Sequence, residues 1–195
     1  MKAHIINATI VVALAAGAAG AAACTSTVRQ GTGNSYLIID SLRGFSGATG
    51  ADTGTRLNSD VITKDGVIAD GGLVAFRVGL KDPLAPTSTN NSVTVNRYTV
   101  RYIRADGRNT PGVDVPFPFD GALTMTVAPD GTAEGTFLLV RLQAKLESPL
   151  FALRNQGGAK VISTIAEVTF FGQDQTGRAV SATGRISIEF ADFPD

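Results

Sequence analysis

Any chemistry in this chain of 195 residues must come from carboxylates, hydroxyls, lysines and arginines, because it contains one histidine, one cysteine and no tryptophan. His4 and Cys24 both belong to an apolar, small-residue N-terminal stretch. Removing that stretch leaves no imidazole, which excludes Ser-His-Asp and Cys-His nucleophilic catalysis, His-ligated zinc and the two-His-one-carboxylate iron site. Hydrolysis by a carboxylate pair survives, since it needs only two carboxyl groups about 5 to 10 Å apart. Asp40, Asp114, Asp120, Glu134, Glu147, Glu167 and Glu189 are available, but no spacing singles out a pair. The missing Trp removes the strongest sugar-stacking platform.

The densest basic and aromatic segment holds Arg97, Tyr98, Arg101, Tyr102, Arg104 and Arg108. Arg97 and Arg101 share strand parity, so both guanidinium forks can face one exposed surface suited to a carboxylate, a phosphate or an acidic glycan. The alternative is that these arginines pair with acids on a neighbouring strand while Tyr98 and Tyr102 fill the core. Asn109 to Asp120 includes Pro111, Pro116, Phe117, Pro118 and Phe119. Turned outward, the Phe117 and Phe119 rings form an apolar contact patch; folded back, they close the end of the fold. Asp106, Asp120 and Asp130 each precede glycine, which offers oxygens for calcium but is accounted for by turn chemistry alone, so no metal is expected. Gly44, Gly47, Gly50 and Gly54 lie in a small-residue loop with neither the helix nor the lysine that a phosphate cradle requires, and read as a connector.

The elements that must position these residues are strands, because the dominant apolar period is two. Clean alternation marks residues 73–81, 122–128, 136–147 and 179–191. Residues 36–42 read as a strand buried on both sides, and 160–172 as one covered on both faces or at a contact. In 92–105 the parity changes near Asn96, which implies a bulge or an exchange of faces. A short strand near 60–63 is a further candidate. Asp65-Gly66, Asp70-Gly71, Asp106-Gly107, Asp120-Gly121 and Asp130-Gly131 supply turn signals, residues 173–177 a terminal hairpin, and Ser148-Pro149 a cap for one helical turn over 150–154. Seven or eight such strands predict an all-β, antiparallel two-sheet sandwich in a single domain over residues 35–195. The layout resembles an immunoglobulin or fibronectin-III-type ectodomain without the Cys-Trp-Cys signature, a likeness that implies little about activity.

Before that domain, Lys2 heads an aliphatic run from Ile5 to Leu14 and an Ala/Gly run to Ala23, the order of parts in a secretory signal. The run is interrupted by Asn7 and Thr9 and falls short of the about 20 strongly apolar residues of a spanning helix. Ala21-Ala22-Ala23-Cys24 resembles the lipobox of bacterial lipoproteins, with Ala21 where that family usually has Leu. The resemblance implies cleavage before Cys24, lipid on its sulfur and attachment to a membrane; Thr25 in place of Asp implies the outer membrane where there are two. Ordinary cleavage beside an incidental cysteine is the alternative. The expected organisation is a signal peptide over 1–23, a tether over 24–34 and the sandwich beyond. The 17 basic and 17 acidic residues give no electrostatic reason to expect nucleic acid. Together these features point to a non-enzymatic, cofactor-free envelope lipoprotein acting as a structural or binding module, with an envelope protein or a glycan as partner. A carbohydrate- or calcium-assisted adhesion module and a carboxylate-based hydrolase are the alternatives.

Overall fold

Alternation of buried and exposed side chains, carried through almost every long strand, determines the architecture of residues 33–194, the part described by the computed structural model. Cys24, the leader and the tether before Gly33 lie outside the described residues. Nine strands form: β1 (Ser35–Phe45), β2 (Asp52–Gly54), β3 (Arg56–Asp60), β4 (Asp70–Leu80), β5 (Val93–Ile103), β6 (Phe119–Val127), β7 (Thr132–Val140), β8 (Ile162–Asp174) and β9 (Ala179–Ala191). They make a four-stranded sheet in the order β2-β1-β4-β7 and a five-stranded sheet in the order β3-β9-β8-β5-β6. The result is the expected all-β, two-sheet sandwich. At the centre of the sandwich, β1-β4-β7 in one sheet face β9-β8-β5-β6 in the other. One pairing departs from the antiparallel expectation: β3 runs parallel to β9.

The parity change in β5 is a bulge and not an exchange of faces. Register slips between Val95 and Arg97 against both neighbours, so Val93 and Val95 on one side of Asn96 and Tyr98, Val100 and Tyr102 on the other all point into the core. A similar slip between Ile39 and Ser41 corrects the reading of β1. Asp40 is turned out to pair with Arg77 at 2.6 Å while Leu37 and Leu42 both stay inward, so β1 buries one face. In β8, Thr164, Ala166, Val168 and Phe170 face inward and Ile165 is exposed.

The run at residues 136–147 is not one strand. β7 ends at Val140, and Leu142–Leu146 form a short helix, α1, that turns Ala144 and Lys145 into the interior. Asp70-Gly71 and Asp120-Gly121 are not turns either; they open β4 and β6. The ammonium of buried Lys145 donates to Asp70 Oδ2 at 2.7 Å and to the Ile68 carbonyl at 2.6 Å. Ser59 Oγ and the Gly47 amide donate to the same carboxylate. A 3-10 turn over Leu150–Leu153 follows, with Pro149 rather than Ser148 at its cap. The terminal hairpin forms as expected, with the Asp174 carboxylate accepting from Thr176 and Arg178. No helix among the described residues is long and apolar enough to cross a membrane.

Rings fill the space between the sheets. Phe170 meets Phe76 edge-on at 4.9 Å and Phe137 at 5.2 Å, and Tyr98 meets Phe137 at 5.1 Å. The two β5 phenols reach the opposite sheet: Tyr98 Oη accepts from the Leu138 amide at 3.0 Å, and Tyr102 Oη donates to the Leu139 carbonyl at 2.7 Å. Each buried hydroxyl thus meets a backbone group of β7.

Candidate ligand-contact site at the end of β5

Because Tyr98, Val100 and Tyr102 take the inward positions of β5, Arg97 and Arg101 must face out from the five-stranded sheet. Cross-strand neighbours meet both. Arg97 lies over the Phe171 ring, 4.2 Å from its centroid, and 3.7 Å from Asp120. Arg101 stands opposite Glu167 and donates through Nη2 at 2.6 Å. From β9, Arg185 reaches the other oxygen of Glu167 with Nε at 3.0 Å and Nη2 at 2.7 Å. Glu167 is therefore clasped by two forks, and Arg185 first, then Arg101, hold its carboxyl below the ordinary carboxylate range. The row Arg101-Glu167-Arg185 carries one net positive charge. Next to it on the same outer face lies an apolar pair, Ile103 opposite Ile165.

Residues 104–118 fold over the end of this surface and are held by their own polar groups. Asp106 accepts from both Arg104 and Arg108, with Nη2 distances of 2.6 and 2.9 Å, and these two guanidinium groups hold its carboxyl far below the usual range. The Arg104 amide donates to Asn109 Oδ1 at 2.7 Å, and the Thr110 amide to Asp114 Oδ2 at 3.2 Å. At Gly112 the backbone takes φ +76° and the Phe117 ring lies across the space where a Cβ would be, a position that demands glycine twice over.

Beneath this connection is a cavity of about 320 Å³ lined by Arg101, Tyr102, Ile103, Asn109, Pro111, Val115, Pro116 and Pro118. The two phenylalanines of the segment part company. Phe119 folds in against Tyr98 and lies beneath the Arg141 guanidinium at 4.6 Å, whereas Phe117 stays 48% exposed with its ring against Gly112. Of the four expected contact residues, Arg101 lines the cavity, Phe117 lies outside the lining between Pro116 and Pro118, Arg97 is two rows further along the outer face, beyond Thr99 and Thr169, and Phe119 is core. Cys24 lies outside the described residues.

Carboxylates are dispersed by their partners. Asp40 pairs with Arg77, Glu189 with Arg56, Asp120 with Thr99 and Arg97, and Asp70 with Lys145. None of the four cavities described among residues 33–194 is lined by two carboxylates. Among the described residues no three of His, Cys, Asp and Glu form a metal-binding group. Asp106 and Asp130 do lie in turns, with Asp106 engaged by arginines.

Reading the sequence alone passed over Asn109 and Val115 as site residues, along with Glu167 and Arg185 as a clasp for Arg101. Parity could have flagged Arg185, which sits on the polar face of an alternating strand. The cavity wall could not have been found that way, because it depends on the path of an irregular connection. No protein-family model matches this chain, and no curated protein is significantly similar to it.

Proposed function

We propose that the protein is a non-enzymatic module of a cell envelope, held at a membrane by lipid on Cys24, that recognises a ligand or partner through the end of β5 and the 104–118 connection. The observation that carries this reading is the preformed cavity at Arg101, roofed by a connection already fixed by the Arg104-Asp106-Arg108 fork. A site ordered before binding loses little conformational freedom on occupation. The anchor is supported by the lipobox-like Ala21-Ala22-Ala23-Cys24 and by the lone cysteine, which has no partner for an internal disulfide.

Two measurements test the proposal. Cys24→Ala is expected to release the protein from the membrane pellet, and unchanged fractionation removes the anchor. A photocrosslinking residue at Phe117 is expected to capture a partner or ligand in intact envelopes that the same residue at Lys64, in the β3–β4 connection, does not. Identical products from both positions remove the site.

A further inference from the structure

We infer that the cavity at the end of β5 takes a small organic monocarboxylate, its apolar body against Ile103, Pro111, Val115 and Pro116 and its carboxylate on the guanidinium of Arg101. This rests on the binding role proposed for the same site and specifies the ligand's chemistry.

The size of the space comes first. About 320 Å³ is at the lower end for ligand cavities and, at roughly 30 Å³ per water-sized group, holds on the order of ten non-hydrogen atoms. The charge follows from what the walls offer. Arg101, Asn109 and Tyr102 are the polar residues among them, the Tyr102 hydroxyl is spent on the Leu139 carbonyl, and no Asp or Glu contributes. Asn109 spends its carbonyl oxygen on the Arg104 amide, which leaves its amide N–H groups to donate. Arg101 uses only Nη2, on Glu167, and its remaining N–H groups have no protein acceptor among the described residues.

Glu167 does not cancel this demand, because it also accepts two bonds from Arg185 and the three side chains together keep one positive charge. A ligand there must accept hydrogen bonds, and a planar carboxylate matches the guanidinium fork. A dianion such as a phosphate monoester would need a second cation, whereas the rest of the wall is Tyr102, proline and aliphatic. A cationic ligand would meet donors and like charge.

The experiment is a heteronuclear NMR titration of the purified chain with hydrocinnamate, its neutral amide and the corresponding amine, phenylpropylamine. Hydrocinnamate is expected to shift the Ile103 and Val115 amides and to bind at least about tenfold more tightly than the amide, with no binding of the amine. R101Q should weaken hydrocinnamate about tenfold or more, and R101K, which keeps the charge but not the fork, by a smaller factor. E167Q should strengthen it several-fold by freeing Arg101, a gain that a purely structural role for the clasp would not produce. Equal affinity for carboxylate and amide, or no tightening in E167Q, overturns the carboxylate assignment while leaving the cavity a binding site. No shift at Ile103 and Val115 with any of the three probes overturns the assignment and the site together.

Discussion

The ammonium of Lys145 and the carboxylate of Asp70 lie 2.7 Å apart with side-chain exposures of 2% and 3%, although one belongs to a helix of five residues and the other opens a strand. Such a pair contributes less by attraction than its loss would cost, since one member alone would be an uncompensated buried charge. Lys145→Met is expected to destabilise the fold by about 3 to 5 kcal/mol, read as a lower urea midpoint. Asp70→Asn in the same chain should cost less than the two single losses added, because each then removes the other's orphan.

Tyr102 is fully buried and donates to the Leu139 carbonyl; burial pushes its phenol well above the ordinary range, and burial likewise raises Tyr98. A raised acid stays neutral in the native state while the unfolded chain ionises near pH 10, so stability is intact below that value and falls as pH rises beyond it. In a Tyr36→Phe background, phenolate absorbance is expected to develop together with unfolding and not ahead of it. Tyr102→Phe should cost about 1 kcal/mol at neutral pH and flatten the alkaline loss.

Gly121 lies opposite Tyr98 across the β5–β6 ladder, and a Cβ there would enter the tyrosine ring. Gly121→Ala is expected to cost about 1 to 3 kcal/mol through overpacking and to disturb the hydrogen bond from Leu138 to Tyr98 Oη. Gly107, at φ +80° with open space around it, offers the contrast. Gly107→Ala should cost about 1 kcal/mol through backbone strain and leave the Leu138 amide resonance in place.

Glu167 and Asp106 are both held below the ordinary carboxylate range by arginines. Asp174 is held there too: burial alone would raise it, but bonds from Thr176 and Arg178 prevail. Depressed acids contribute stability that is present above the unfolded value, near pH 4, and is lost as pH falls toward the lower native values. Urea midpoints measured from neutral to strongly acidic pH should therefore fall below about pH 4, and Glu167→Gln should make that fall shallower. An unchanged acid profile in Glu167→Gln would show that the two arginines do not favour its charged form.

Sequence parity was enough to place β4, β5 and β9 and to locate the irregularity at Asn96, because strand faces are read two residues at a time. It failed where local chemistry was overruled from a distance. Asp70-Gly71 has the look of a turn, yet Lys145 buries the aspartate. Asp120-Gly121 has the same look, yet the glycine makes room for Tyr98. Leu142, Ala144 and Leu146 continued the period of β7 through a helix too short to show a period of its own. At the candidate site the arginine row was legible, since it follows from strand parity. The cavity was not, since its shape comes from how residues 104–118 cross the sheet end.

The position of β9 sets the order in which the molecule can be completed. Its partners are β8 on one side and β3 on the other, and β3 joins it across pairings such as Arg56 with Ser187. Although it follows both partners in the chain, β9 is an interior member of its sheet. The sheet cannot close around β3 until residues 179–191 are available, and contacts of such long sequence separation form slowly. Closure of this sheet therefore waits on β9, and breaking the chain within β9 would strand β3 without a sheet neighbour instead of trimming an edge.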